Sequence, residues 1–193
     1  VLPMLCNRNL AMNAATVRSR YSSLSISLHW VMLILLVAVY ACMELRSYYP
    51  KGSDFREGLK MWHFMLGLSV LLLVVIRIIA RLTATCPPIV PEPPAWHTLL
   101  AKLTHLALYG FMIGMPIAGW IILSASGKAI PFFGMDLPAL VGPDKALANQ
   151  VKEVHEAVAT IGYFLVGLHA VAALYHHYVV KDDTLRRMMP GPR

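Results

Sequence analysis

Charge is scarce in this sequence. Only 14% of its 193 residues are Asp, Glu, Lys or Arg, whereas 58% are apolar, against roughly 45–50% apolar in a soluble domain. With 10 acidic and 17 basic side chains, a soluble fold of this length would lack polar surface, so the expected solvent is a bilayer. Cysteine is scarce as well. Cys6, Cys42 and Cys86 form no C-x-x-C or C-x-x-C-H, which argues against a thiolate zinc site, a redox dithiol and a covalently attached c-type haem. The composition also excludes disorder and collagen-like repeats. The formal charge of +7 is explained by cytoplasmic membrane flanks, and no nucleic-acid partner is expected.

Four stretches approach the about 20 apolar residues that a spanning helix needs: Leu24–Leu45, Met61–Leu82, Leu103–Ser124 and Val154–Val180. They predict an all-α fold, an integral membrane four-helix bundle with both termini on one side. The first stretch is too long for a signal-peptide core and lacks a small-residue cleavage site, so it reads as a retained helix. Residues 1–19 form a polar leader, expected to be disordered or extraneous, ahead of a domain over 20–193. Pro50 and Gly52 mark a turn between the first two spans. The segment CPPIVPEPP at Cys86–Pro94 is a stiff extended connection. Ala125–Lys152, with Phe132 and Phe133, is expected to be a loop at the lipid interface.

Lysines and arginines near the spans set orientation. The side holding both termini carries Arg8, Arg18, Arg20, Arg77, Arg81, Lys102, Lys181, Arg186, Arg187 and Arg193. The other carries Arg46, Lys51, Arg56, Lys60, Lys128, Lys145 and Lys152. The excess favours termini on the cytoplasmic side.

The 8 histidines require an explanation, because ionisable groups in a bilayer are costly unless they face a cavity, a partner or a cofactor. His29 falls near the inner end of the first span and His105 at the inner start of the third. His63 and His155 fall at the outer starts of the second and fourth, expected in their first turns. His169 follows His155 by fourteen residues, which is about 21 Å of helical rise and about 40° short of whole turns. Both therefore face one way at two depths. Two such histidines can each give an axial ligand to one of two stacked b-type haems, the opposite ligands coming from the first two helices. Depth pairs His63 with His155. The residues alone leave the inner pairing open: His29 can face His169 or His176, and His105 competes. Gly162, Ala159, Ala173 and Gly67 give a flat macrocycle room, although they serve close helix packing equally well. His97 and His177 read as interfacial polar residues.

Other polar groups gather toward the inner end. His176 shares the His169 face, and with His105 and Ser27 it can line a pocket where imidazoles bind quinone carbonyls and relay protons. Water or headgroup contact is an equal reading of these three. Arg77 suits a haem propionate or a lipid phosphate. A His-based metal transporter is a minor contender, since the spans lack paired carboxylates.

The stretches ISLHW at Ile26–Trp30, MWHFMLGLS at Met61–Ser69, LTHLALYG at Leu103–Gly110, VHEAVATIGYFLVGLHAVAALYHHY at Val154–Tyr178 and KDDTLRRMMP at Lys181–Pro190 resemble the bacterial cytochrome b561 family. The resemblance is nearest to its di-haem members that oxidise superoxide, and it covers the chain from Tyr21 onward. It implies a superoxide:ubiquinone oxidoreductase with two b haems, taking electrons from superoxide at the periplasmic face and passing them to ubiquinone, with no obligatory protein partner and no side chain acting as nucleophile. It also implies His29 with His169 beside His63 with His155 as haem-iron ligands, and His105, His176 and Ser27 at the quinone end. Arg46, Lys51, Arg56 and Lys60 offer a local positive entrance for superoxide, although acidic residues balance them over that side as a whole. Two alternatives are an adaptor linking the quinone pool to a partner redox protein through the Ala125–Lys152 loop, and a haem-free scaffold.

Overall fold

The computed structural model describes residues 20–84 and 88–190; the leader, Cys6, Cys86 and Arg193 lie outside them. Four helices dominate: α1 (Ser23–Leu45), α2 (Asp54–Thr83), α3 (Ala95–Ala125) and α4 (Lys145–Tyr175). All four are long and apolar enough to cross a membrane. A 3₁₀ turn, Arg46–Tyr48, follows α1, and a π-helical turn, His176–Val180, follows α4. A short hairpin, β1 (Pro131–Phe132) and β2 (Met135–Asp136), lies between α3 and α4.

Three helices start earlier than the apolar stretches do, because each opens with polar turns that hydropathy does not register. Capping explains where α1, α2 and α4 begin. The Ser22 hydroxyl accepts from Ser25 N–H at 3.2 Å ahead of α1. Ser53 accepts from Arg56 N–H at 3.4 Å ahead of α2. Asp144 Oδ1 accepts from Ala146 and Leu147 N–H at 2.9 and 3.1 Å ahead of α4. His63 and His155 consequently lie well inside α2 and α4, not in their first turns, and His105 lies well inside α3. The expected interfacial loop over Ala125–Lys152 is also more ordered than its Gly and Pro content suggests, since it holds the hairpin and the start of α4.

The chain gathers into two compact units. Of the described residues, the first draws on 20–30, 75–84, 88–110 and 162–190, and the second on Val31–Val74 and Phe111–Ile161. They differ in what they bury. The second has an apolar core of Leu68, Leu123 and Ile130, with Phe64, Trp120, Phe132 and Leu137 packed against it. The hairpin closes over this core through a turn with positive φ at Phe133 (47°) and Gly134 (87°), the conformation that two-residue hairpins favour. Phe132 is thereby partly buried while Phe133 is 57% exposed, its ring 6.4 Å from that of Trp62. Trp120 Nε1 donates to the Pro138 carbonyl at 2.9 Å, and the Ser124 hydroxyl accepts from Leu140 N–H at 3.1 Å, tying the loop to the end of α3.

Lipid is as apolar as Leu, so helices in a bilayer associate through close packing and interhelical hydrogen bonds. In the second unit the Tyr40 hydroxyl on α1 donates to the Ala159 carbonyl on α4 at 2.7 Å. Tyr40→Phe should cost about 0.5–1.5 kcal/mol, read as a lower unfolding temperature in detergent with the secondary structure unchanged.

The first unit buries cations. Arg77 and Arg81 on α2 and Arg187 near the C-terminus are all buried. Arg77 Nη1 donates to the Ser25 carbonyl at 2.9 Å. Arg81 and Arg187 lie over the Tyr21 ring, 4.8 and 5.5 Å from its centre, within cation–π range. Trp30 Nε1 donates to the Met188 carbonyl at 2.8 Å, holding the 3₁₀ turn Arg186–Met188 against α1.

Candidate functional site

Each unit brings two histidines from different helices face to face. In the second, His63 on α2 and His155 on α4 have ring centres 6.3 Å apart with planes at 71°. In the first, His29 on α1 and His169 on α4 are 6.2 Å apart at 76°. A metal bonds an imidazole nitrogen at about 2.0–2.1 Å, and about 1.1 Å more reaches each ring centre, so two imidazoles sharing one metal have centres about 6.3 Å apart. Both pairs match this spacing. His105 on α3 also approaches His169, at 5.3 Å, which is too close for a metal held in line between the two rings. Its Nδ1 is engaged with the Ala101 carbonyl one turn back, at 2.5 Å.

Surrounding groups orient these rings. His63 Nδ1 lies 3.0 Å from the Val39 carbonyl; as a donor there, it leaves Nε2 to face His155, the arrangement usual for a metal-bound imidazole. His155 Nδ1 is buried and has no hydrogen-bond partner among the described residues. Gly119 on α3 passes close to this ring: a Cβ at that position would lie 3.7 Å from His155 Cε1. An imidazole pair at metal-bridging distance and a glycine beside one ring together fit a bis-histidine haem.

A different constellation forms at the end of α4. His176 Nδ1 lies 2.5 Å from Asp182 Oδ2, and the Asp182 side chain is fully buried. His97, in the first turns of α3, sets its ring 5.2 Å from that of His176 at 69°. Burial pushes the Asp182 carboxyl up, but the hydrogen bonds from His176 and Thr184 outweigh it and hold the group below the usual carboxylate range. Stabilisation from a group lowered in this way is complete above about pH 4 and is lost as pH falls through the lowered value.

Ser27 is exposed on α1. Among the described residues no hydrogen bond or ring contact joins Ser27, His105 and His176 to one another; His105 faces His169, and His176 faces Asp182 and His97. Within the expected cation cluster, Arg56 Nη1 donates to the Arg46 and Tyr49 carbonyls at 2.6 and 2.8 Å, so its guanidinium braces the turn. Lys60 pairs with Glu57 at 2.5 Å. Lys60 and Lys128 line an open cavity of about 190 Å³ with Glu57, Phe64 and Pro131. Sequence reasoning overlooked Asp182, Gly119, the Val39 carbonyl and the Tyr21 cluster. A signal existed for Arg81 alone, which follows Arg77 by one helical turn and so shares its face.

Four membrane-crossing helices carrying paired imidazoles define an integral membrane cytochrome of the b type. The chain matches the prokaryotic cytochrome b561 family over residues 20–191. It is 41% identical over 172 residues to cytochrome b561 homolog 1 of Escherichia coli (strain K12), covering 89% of this chain and 98% of that protein. It is 40% identical over 174 residues to the probable superoxide oxidase CybB of Yersinia pestis, covering 90% and 98%. Cytochrome b561 homolog 2 of Escherichia coli (strain K12) is 32% identical over 174 residues, covering 88% and 91%. The chain belongs to the prokaryotic cytochrome b561 family, and it is a multi-pass bacterial membrane protein of the electron-transferring, b-haem class.

Proposed function

We propose that this protein is a superoxide:ubiquinone oxidoreductase of the bacterial inner membrane, oxidising superoxide to oxygen at the periplasmic face and reducing ubiquinone, with both termini cytoplasmic. The observation that carries this reading is the pair of imidazole spacings, 6.3 and 6.2 Å, each suited to one iron. The name of the Yersinia pestis relative supports the choice of superoxide. We assign His63 with His155, and His29 with His169, as axial ligands of two b-type haems. When bound, these haems supply the one-electron redox chemistry that the side chains lack.

The chain's own residues do the rest. Hydrogen bonding to Val39 fixes the His63 ring, and Gly119 keeps the space beside His155 open. Arg77, buried in the unit that holds His29 and His169, supplies a guanidinium for a propionate. Lys128, lining the open cavity, favours approach of a small anion over that of a neutral molecule, while Lys60 is paired with Glu57. His176 lies at the ubiquinone end with His105 and Ser27, and donates to a quinone carbonyl.

The test uses haem-loaded protein in detergent, a superoxide-generating system and a short-chain ubiquinone. Ubiquinol should form in step with superoxide loss, at one quinol per two superoxide anions consumed. Superoxide decay at the uncatalysed disproportionation rate, with no quinol produced, would overturn the reading.

A further inference from the structure

The Asp182 carboxylate, buried beneath His176, is not among the assigned haem ligands, and the local backbone is shaped to deliver it. The last α-helical turn of α4 widens into the π turn His176–Val180, and Lys181 then takes a left-handed conformation (φ 59°). A non-glycine residue rarely adopts this conformation. The result is a chain reversal in which Asp182 N–H donates to the His176 carbonyl at 3.2 Å while the Asp182 carboxylate meets the His176 ring. π turns of this kind recur at functional sites.

The carboxylate has a short list of neighbours. Oδ1 accepts from Thr184 N–H at 2.9 Å, and Oδ2 faces His176. Neighbouring Asp183 is the partner of Arg187, at 3.4 Å. The titratable groups facing the His176 ring are Asp182 from the C-terminal turn, His97 from α3 and Tyr175 from its own helix. His97 Nδ1 is itself buried without a hydrogen-bond partner among the described residues. A buried carboxylate whose side-chain partner is an imidazole is costly to keep as a packing element. It is well suited to fixing the tautomer of that imidazole and stabilising its cationic form.

We propose that Asp182 is the positioning residue for proton transfer to quinone, holding His176 through Nδ1–H so that Nε2 delivers the proton, with His97 as the adjoining proton-carrying group. This rests on the assignment of His176 to the ubiquinone end. Each ubiquinone gains two electrons, one from each of two superoxide anions oxidised to oxygen, and two protons, so that both C=O groups become C–OH. For the nearer carbonyl, the N–H bond at His176 Nε2 breaks as the O–H bond forms on the quinone oxygen, and the second oxygen takes its proton from water. The neutral ring keeps its Nδ1 proton directed at Asp182 and regains a proton at Nε2 by way of His97, which water recharges.

The test compares wild type with Asp182→Asn and Asp182→Glu as haem-loaded proteins. In Asp182→Asn the amide keeps its oxygen on Thr184 N–H and turns its NH₂ toward Nδ1, moving the imidazole proton to Nε2. That ring still binds a carbonyl, but it no longer yields a proton readily. Expected are a fall in kcat for ubiquinol formation of about 100-fold, a KM for ubiquinone within about twofold of wild type, and a larger solvent deuterium isotope effect. Asp182→Glu should recover part of the rate. Nitrogen-15 spectra of labelled histidine should show a Nδ1-protonated ring that Asp182→Asn converts to the other tautomer. Haem reduction by superoxide without quinone should be unchanged. An unchanged kcat in Asp182→Asn would overturn the proposal. So would a parallel loss of haem, haem reduction and quinol formation that Asp182→Glu fails to relieve, since that marks a purely structural carboxylate. If wild type itself reduces its haems with superoxide but makes no quinol, the ubiquinone assignment falls, and this inference with it.

Discussion

Replacing His63 or His155 with alanine should lower the haem content from about two to about one per chain, and replacing His29 or His169 should remove the other haem. The prediction follows from geometry. Each pair spans the distance that one iron requires and draws its members from two different helices. Removing one imidazole leaves a single axial ligand facing an apolar gap, and a ligand lost from the first coordination sphere is not replaced by packing. The two pairs also belong to separate compact units, so loss of one haem should not unfold the site of the other. Pyridine haemochrome analysis gives the stoichiometry, and the reduced-minus-oxidised optical spectrum identifies the surviving centre. His105→Ala is the discriminating control. His105 lies nearer to His169 than His29 does, yet too near for an iron in line between the two rings, so this variant should keep about two haems. A variant series in which His105→Ala loses a haem and His29→Ala loses none would reverse the assignment of the ligands.

The second large effect should come from a residue without a side chain. A methyl group at Gly119 would stand 3.7 Å from His155 Cε1, an ordinary contact distance. Gly119→Ala should therefore bind haem as wild type does. Gly119→Leu places branched carbons in the space of the imidazole. Overpacking of this kind costs about 1–3 kcal/mol when neighbours can shift, and the neighbour here can shift only by turning away from His63. The expected result is loss of the haem held by His63 and His155, with the His29–His169 centre retained. The same optical and stoichiometric measurements check it, and a fully loaded Gly119→Leu protein would show that the ring is not confined by α3.

Much of this architecture is legible in the sequence because the bilayer imposes a coarse rule: about 20 apolar residues per crossing. That rule locates all four helices, and helical periodicity places His155 and His169 on one face. It does not locate the first turns of α2, α3 and α4, which extend each helix ahead of the apolar stretch; those of α2 and α4 begin at the Ser53 and Asp144 caps. That error moved His63 and His155 to helix ends they do not occupy. The inner pairing was unreadable from depth alone, because His105, His169 and His29 share a level, and only the distances between their rings separate a metal-bridging pair from a close contact. Asp182 escaped notice for another reason. It lies beyond the last apolar residue, where a hydropathy reading expects a solvated tail, and a π turn with a left-handed Lys181 is what carries it back under His176. Tyr21 and Arg187 were hidden in the same way, since their contact joins opposite ends of the chain. The hairpin turn at Phe133 was obscured because a Phe-Gly pair is not among the usual signals for two residues at positive φ.

The unequal bracing of the two imidazoles in the second unit has a consequence for exchange chemistry. The His63 ring is anchored by the Val39 carbonyl, whereas the His155 ring has no such tether among the described residues. Of the two, His155 is therefore the labile one. A small exogenous competitor such as cyanide or free imidazole should enter on the α4 side, displacing the untethered ring while the anchored one stays in place.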